Sequence, residues 1–196
     1  IQDYKLITKL DFLKKTIFHI IDSLTIGVAE QLLVGFASSL KNFNNIIIIL
    51  KDVNEYNDKL KGEIEVISLN YKSKMDVPLS IIKLRKLIRT YQPDILHTHL
   101  YWSTIIGRLA CIGNNNISLV TTYHSLLYDV NNTAQYSSKM LYLDRITYNR
   151  KFFTIYISQK VKEVIGKALQ IKNNHKVIFN YVEDRFYESE APKFNH

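Results

Sequence analysis

The sequence is poor in cysteine and in long apolar runs. Cys111 is the only cysteine among 196 residues, which excludes an intrachain disulfide and any zinc site built on several thiolates. The longest purely apolar stretches, such as IIIIL at 46–50, are far shorter than the roughly 20 residues that a membrane-spanning helix needs. Charges throughout the first fifteen positions also argue against a secretory signal peptide in this segment. These absences together favour a cytoplasmic location.

Glycine is also scarce, with six residues in the whole chain. The G-x-G-x-x-G fingerprint and the P-loop pattern are both absent, so we expect no nicotinamide cofactor and no P-loop nucleotide site. Like charges never form a block of five or six, which argues against an arm that binds nucleic acid. The sequence therefore predicts no cofactor and no nucleic-acid partner.

A net charge of +8 is the strongest compositional bias that is present. It favours an anionic partner, such as a phosphorylated metabolite or a membrane surface. The alternative is an ordinary lysine-rich surface, because the lysines are scattered along the chain. Composition alone leaves both interpretations open.

Short β-branched runs alternate with longer amphipathic segments, which predicts βαβ units and a doubly wound parallel sheet of the α/β class. Strands are predicted at 16–22, 45–50, 64–69, 94–99, 118–124, 152–158 and 176–182, and helices at 29–41, 78–91, 103–113, 137–151 and 159–170. We expect one domain over residues 1–187. The polar end, residues 188–196, has the composition of a linker that leaves the domain.

Three polar clusters follow strands that such a sheet places side by side. They are the loop with Gly27, the segment with His97, His99 and Tyr101, and the strand end with His124 and Ser125. Parallel sheets bind ligands in the crevice beyond the carboxyl ends of the strands, where the winding order reverses. The sequence therefore predicts that these clusters open into one crevice.

Gly27 stands where a strand ends and a helix begins, with Glu30 in the first helical turn. A glycine there can take a positive φ and lets a ligand approach the backbone, while the helix end attracts phosphate. The alternative is a plain turn glycine, with Glu30 as a favourable charge near the N-terminus of a helix.

The histidines also allow two interpretations. His97 and His99 are two positions apart on a strand and should point to one face, so that with His124 they could form a three-histidine zinc site. The alternative has one of the two packed in the interior and the other at the rim. His124 at its strand end is either a ligand-binding or a structural histidine, and His19 is predicted to lie in the core.

Five segments, in order, resemble the N-terminal domain of the retaining GT-B glycosyltransferases. They are FHIIDSLTIGVAEQLLVGFASSL, YQPDILHTHL, TTYHS, IYISQKVKEVI and KVIFNYVEDRFYE. Members of this group, which includes the family 4-like enzymes, transfer sugars from nucleotide-sugar donors. The resemblance covers residues from about 16 to about 187 and implies a Rossmann-like fold without a metal.

The resemblance also implies roles for individual residues. Gly27 falls on the loop that approaches the donor phosphates, and His124 on a histidine at the reaction centre that contacts the transferring sugar. Residues on the acceptor side are His99, Tyr101 and Ser125. Asn180 aligns with an asparagine beside the interdomain cleft, where its role is local structure.

Two positions depart from the family pattern: Val28 replaces the second glycine of the loop, and Tyr181 replaces the glycine after Asn180. Val28 either narrows the approach of the phosphates or simply begins the helix.

The family has a second Rossmann-like domain that binds most of the nucleotide sugar. We therefore expect this chain to be a fragment, inactive alone, whose full-length form takes a nucleotide-sugar donor and a glycan or lipid-linked acceptor for cell-surface polysaccharide or glycolipid synthesis. The basic surface suggests peripheral contact with the inner face of an anionic membrane. The rival hypotheses are a non-catalytic Rossmann-type module for a phosphorylated ligand and, more remotely, a three-histidine metal hydrolase.

Overall fold

A computed structural model describes residues 14–131 and 137–180 of the chain. The strands are β1 (Thr16–Ile21), β2 (Asn44–Ile49), β3 (Glu65–Ser68), β4 (Ile95–His99), β5 (Ser118–Tyr123), β6 (Phe153–Tyr156) and β7 (His175–Val177). The helices are α1 (Val28–Ser39), α2 (Asn57–Leu60), α3 (Val77–Tyr91), α4 (Tyr101–Ala110), α5 (Ser138–Thr147) and α6 (Gln159–Leu169).

The seven strands form one parallel sheet in the order β3-β2-β1-β4-β5-β6-β7. The first three strands fill one side of the sheet, and the chain then returns to place β4 beside β1. This arrangement confirms the predicted doubly wound α/β fold. The winding reverses between β1 and β4, which is where such folds bind ligands.

The run of isoleucines in β2 shows why the sheet is covered on both faces. Ile46 and Ile48 belong to the apolar cluster that includes residues of α3 and α4, whereas Ile47 and Ile49 belong to the cluster under α1. Side chains alternate between the faces of a strand, so an unbroken apolar run is what a strand between two helix layers requires.

Several boundaries differ from the sequence-based prediction. Helix α2 has four residues and a 3-10 turn occupies Lys74–Asp76; both are too short for a periodic pattern, and neither was predicted. Among the described residues, the last strand, predicted to extend over 176–182, is paired over His175–Val177, beside a β6 that ends at Tyr156; positions 181 and 182 lie outside the described part. Residues 181–196, including the predicted linker, lie outside the described part.

No helix within the described ranges is both long enough and apolar enough to cross a membrane.

Candidate functional site

Three buried histidines lie together on the α1 side of the sheet. The pairing of β1 with β4 aligns His19 with His97, and their ring centres are 5.7 Å apart. The rings of His97 and His99 are 4.1 Å apart, which confirms that these two side chains share a face. Exposure is 0% for His19, 8% for His97 and 4% for His99. Both residues of the β4 pair are therefore buried, and which of the two predicted arrangements of the histidines operates stays a prediction.

Hydrogen bonds fix the tautomer of His19. The Asn45 side-chain amide donates to the carbonyl oxygens of Leu40 (2.9 Å) and Phe43 (3.3 Å), so its Oδ1 is left as an acceptor. That oxygen lies 3.1 Å from His19 Nε2, which must therefore carry the proton and donate. The unprotonated Nδ1 of His19 is buried and has no hydrogen-bond partner in the part of the chain that the structure describes.

His99 and His124 form the pair closest to the crevice. His124 directly follows β5 and is half-buried, and its Nε2 lies 3.1 Å from Nδ1 of His99. Within the described residues, His99 Nε2 and His124 Nδ1 are buried without partners. His97 bonds instead to Thr122, with 2.8 Å between Nε2 and Oγ1. The pair thus holds the His124 ring in one orientation and leaves its Nδ1 free.

Burial makes these imidazoles weak bases. It lowers the pKa of His19 and of His124 to about 4, and it holds the pKa values of His97 and His99 well below the usual range. The charged form is disfavoured because few polar groups are available to solvate it. At neutral pH the cluster is uncharged, and its members act through hydrogen bonds.

A cavity of about 160 Å³ opens above the histidines. Its wall is mostly apolar and is formed by Leu32, Leu33, Phe36, His97, His99, Thr122, His124, Ile155, Ile157, Ile178, Phe179 and Asn180. Asn180, which the family resemblance aligns with an asparagine beside the interdomain cleft, is one of these lining residues. Apolar walls with a few convergent polar atoms are typical of ligand sites.

A wider groove of about 920 Å³ lies at the opposite edge of the sheet, among residues that include Lys14, Lys41 and Asn44. It is at the amino ends of the strands, and the histidines are not among its lining residues. Since parallel sheets bind at the carboxyl edge, we assign the candidate site to the histidine cavity.

The junction at the start of α1 explains why a glycine and a glutamate occur there together. Gly27 is extended (φ −151°, ψ 163°), so it does not use the positive φ that the sequence suggested as its advantage. A Cβ at this position would collide with the carboxylate of Glu30, which is largely buried against it. The missing side chain makes room for Glu30. Val28 begins α1 with its side chain 69% exposed, in accord with the interpretation that it starts the helix.

Tyr101 and Ser125 are placed differently from the histidines. Tyr101 is buried, and its hydroxyl donates to the carbonyl of Met140 (3.0 Å), toward α5. Ser125 is half-buried beyond the end of β5. Neither is among the described residues that line the histidine cavity, nor are Gly27 and Val28. Their roles toward a donor or an acceptor stay predictions.

Asp22 is a structural residue of the crevice to which sequence reasoning gave no role. Its Oδ1 accepts a hydrogen bond from the backbone N–H of Ser103 (2.8 Å), which ties the end of β1 to the first turn of α4. Burial raises the pKa of Asp22, while the hydrogen bonds with Ser103 and the charge of Lys51 act in the opposite direction. The available signal was a carboxylate placed directly after an apolar strand.

The turn between β4 and α4 is strained at Leu100, which has φ 64° and ψ −178°. This region is essentially reserved for glycine and costs about 1–3 kcal/mol for other residues. The Ser103 hydroxyl donates to the carbonyl of His99, and Thr104 Oγ1 donates to the carbonyl of Leu100 (2.6 Å). These two hydrogen bonds stabilise the strained turn directly after His99. No sequence pattern predicts the strain at Leu100.

The histidines also form a group that could hold a metal ion. One ring nitrogen from each of His19, His97 and His99 lies within 4.8 Å of the other two. The set predicted from sequence contained His124 in place of His19. Three imidazoles suit zinc or a similar transition metal, and Asn45 and Thr122 supply outer hydrogen bonds of the kind that orient such ligands. The expectation that the protein needs no metal stays a prediction.

Comparison with known proteins identifies the family. The chain belongs to Glycosyltransferase Family 4, whose family model matches residues 43–186. No curated protein sequence matches the chain.

Solved structures of glycosyltransferases share the fold. The Anabaena Alr3699/HepE structure, in complex with UDP and glucose, has a TM-score of 0.67 and 17% identity, over 87% of this chain and 46% of that one. A glycosyltransferase from Rickettsia africae ESF-5 has a TM-score of 0.65 and 22% identity, over 91% of this chain and 47% of that one. The apo form of the lipopolysaccharide outer core galactosyltransferase WaaB has a TM-score of 0.61 and 16% identity, with 86% and 46% covered.

The chain spans about half the length of these structures, and the fold matches the N-terminal domain of a GT-B glycosyltransferase. A UDP-N-acetylglucosamine 2-epimerase shares the fold as well, with a TM-score of 0.60 and 13% identity. The fold alone therefore does not define the reaction. The assignment to a transferase family comes from the family model.

Proposed function

We propose that this chain is the acceptor-side half of a retaining glycosyltransferase that moves a sugar from a nucleotide-sugar donor to a glycan or lipid-linked acceptor. The observation that supports this most directly is the hydrogen-bonded pair His99–His124 at the winding reversal of a Glycosyltransferase Family 4 chain. A second domain would supply the main nucleotide contacts. The cavity of about 160 Å³ is smaller than the roughly 300 Å³ at which ligand pockets usually begin, as expected of half a site.

His124 would orient the transferring sugar. Its Nδ1 has no partner among the described residues, while its Nε2 is held by His99. A neutral imidazole fixed in this way can donate or accept one hydrogen bond at a sugar hydroxyl without a change in its protonation state. Tyr101 and Ser125 would contribute to the acceptor side.

Gly27 would lie near the donor diphosphate at the N-terminus of α1. The Glu30 carboxylate now covers this position, so an approaching diphosphate would require Glu30 to swing away. No metal or cofactor takes part in this proposal, and the leaving diphosphate is stabilised by helix ends and by the second domain. We place the full-length enzyme in the cytoplasm, in the synthesis of a cell-surface polysaccharide or glycolipid.

The decisive experiment uses His124→Ala in the full-length enzyme, with turnover and thermal unfolding measured on the same preparation. We expect turnover to fall about a hundredfold or more, because a positioned hydrogen bond at the reacting sugar is lost. Melting temperature should fall only modestly, because a half-buried side chain at a strand end leaves a small cavity and the change removes one hydrogen bond, that to His99. A matched control, His175→Ala on β7, should retain turnover. A clear loss of stability with normal turnover would make His124 a structural residue.

Two further assays separate the alternatives. The isolated 196-residue chain should transfer no sugar, because the main nucleotide contacts are supplied elsewhere. NMR of the product formed by the full-length enzyme should show the donor's anomeric configuration retained. A full-length protein that binds a nucleotide sugar but never turns it over would favour a non-catalytic binding module.

A further inference from the structure

Helix α3 exposes apolar side chains on its outer face. Met75, in the 3-10 turn before the helix, is 86% exposed, and Leu79 and Ile82 are 50% and 64% exposed. Spacings of four and three residues place them along one side of a helix. The opposite side carries Leu84 and Ile88, which are packed in the core. The exposed residues therefore form a second apolar surface, against which none of the described residues packs closely.

The same spacing continues into basic residues. Lys86 and Arg89 follow Ile82 at intervals of four and three, and both are exposed. We call the line formed by Met75, Leu79, Ile82, Lys86 and Arg89 the α3 outer stripe.

Two more exposed cations, Lys72 and Lys74, precede the α3 outer stripe, and α3 itself contains no acidic residue. Two carboxylates lie close to α3. Glu65 accepts a hydrogen bond from the Tyr91 hydroxyl at the end of the helix (2.9 Å), and Asp76 accepts from the backbone N–H groups of Lys72 (2.9 Å) and Ser73 (2.8 Å) at its start. The negative charge of Asp76 is thus held at the start of the helix. The stripe thus combines apolar residues with flanking cations, Lys72 and Lys74 before it and Lys86 and Arg89 at its end.

The position of the stripe relates it to the crevice. The first turn of α3 follows β3, so the apolar part of the stripe lies toward the carboxyl edge of the sheet, where the histidine cavity also opens. Trp102, in the first turn of α4, is on the same edge, and Lys74 Nζ lies 5.9 Å from its ring centre. The stripe and the cavity thus share the carboxyl edge of the sheet, although α3 packs on the face of the sheet opposite to the histidines.

We propose that the α3 outer stripe docks the protein on an anionic lipid bilayer. Apolar side chains on one helix face with flanking cations are the pattern that lies in a membrane interface. The cations are attracted to anionic headgroups, while Met75, Leu79 and Ile82 enter the boundary of the acyl chains. A second copy of this chain is a poorer occupant, because pairing two stripes would bring like charges together. The inference rests on the proposed function in one respect: membrane docking would bring the site to an acceptor that is lipid-linked.

The test measures binding of the full-length protein to vesicles of phosphatidylcholine with and without 30% phosphatidylglycerol, by sedimentation. Binding should require the anionic lipid and weaken with salt. The double variant Leu79→Ser/Ile82→Ser should bind at least about tenfold more weakly, because two apolar side chains no longer enter the bilayer. The matched control, Ile112→Ser/Ile146→Ser, alters residues that are 65% and 60% exposed elsewhere and should bind normally.

A second pair of variants tests the charges. Lys86→Gln/Arg89→Gln should weaken binding to anionic vesicles by about tenfold and reduce its salt dependence. Lys160→Gln/Lys167→Gln, which removes two exposed charges from α6, should have a smaller effect. Equal binding of all variants, or equal binding to neutral vesicles, would overturn the proposal. So would a dimer in solution that the Leu79→Ser/Ile82→Ser change dissociates.

Hydrolysis of a nucleotide sugar by the full-length protein, measured without vesicles, tests the candidate site independently of the α3 outer stripe. The stripe variants should retain that activity, because none of their positions lines the histidine cavity. Vesicle binding by a protein that has no transferase activity would leave the docking surface intact and contradict the proposed function alone.

Discussion

At the scale of single residues, burial decides what the histidines can do. His19 is fully enclosed, its Nε2 donates to Asn45, and its pKa is lowered to about 4. In the unfolded chain a histidine has a pKa of about 6.5. Between these values the unfolded chain binds a proton that the folded chain does not, so stability must fall as pH decreases from about 6.5 to about 4.

The first prediction tests this linkage. Each such histidine adds a slope of about 1.4 kcal/mol per pH unit within that window. His19→Asn should therefore lower the pH dependence of the unfolding free energy by about that amount, while an asparagine can still bond to Asn45. Urea unfolding at several pH values between 4 and 7 measures both slopes. Identical slopes for the two proteins would show that His19 ionises normally in the fold.

Only part of this cluster could be predicted from the sequence. The spacing of two residues was sufficient to place His97 and His99 on one face, since side chains alternate along a strand. The addition of His19 depends on the register of β1 against β4, two segments almost eighty residues apart. Long-range register is set by packing and is not visible in a local pattern.

Gly27 supports a second prediction at the same scale. In the full-length enzyme, Gly27→Asp should weaken donor binding by about one to a few kcal/mol, because a second carboxylate would join Glu30 where the diphosphate approaches. Gly27→Asn has nearly the same shape and displaces Glu30 equally, so it serves as the uncharged control. Titration calorimetry with the nucleotide sugar compares them. Equal affinities of the two variants would show that the loop does not meet phosphate.

At the scale of secondary-structure elements, Asp22 links two segments that are distant in sequence. Its carboxylate accepts from the Ser103 N–H at the first turn of α4. Asp22→Ala should lower the unfolding free energy by about 1.5–3 kcal/mol, because a hydrogen bond to a charged group is lost and an N–H is left without its acceptor. Asp22→Asn keeps an oxygen at that position and should lose less than half as much. Denaturant unfolding at pH 7 ranks the two variants. If Asp22→Asn loses as much stability as Asp22→Ala, the negative charge of Asp22 contributes more to stability than its hydrogen bond to Ser103.

Helices and strands were predicted correctly from the sequence where they are long and their apolar residues are periodic. Helix α3 begins with a proline near its first turn and carries apolar residues at helical spacing, so its range was predicted to within one residue. The four-residue α2 and the 3-10 turn before α3 contain too few residues to show a period. The strained Leu100 is set by the bonds that hold the turn after β4, and its own side chain gives no sign of it.

At the scale of the whole molecule, the alternation of strands and helices was enough to predict the sheet and the place of its reversal. It could not predict how α4 and α5 pack together. Their contact encloses an ion pair between Arg108 and Asp144, which are 2% and 1% exposed. Tyr123 and Tyr128 donate to the same carboxylate, at 3.0 Å and 2.6 Å. The four partners come from three separate parts of the chain, so no local motif reveals them.

This network gives the last prediction. Asp144→Leu should lower the unfolding free energy by about 3–5 kcal/mol, because the guanidinium of Arg108 would remain buried without its counter-charge. The double variant Arg108→Met/Asp144→Leu should regain more than half of that loss, because no uncompensated charge is left in the interior. Urea unfolding of the two variants and the parent at pH 7 completes the comparison. If the double variant is no more stable than Asp144→Leu alone, the loss arises from altered packing of α4 against α5, and the buried charge is not its cause.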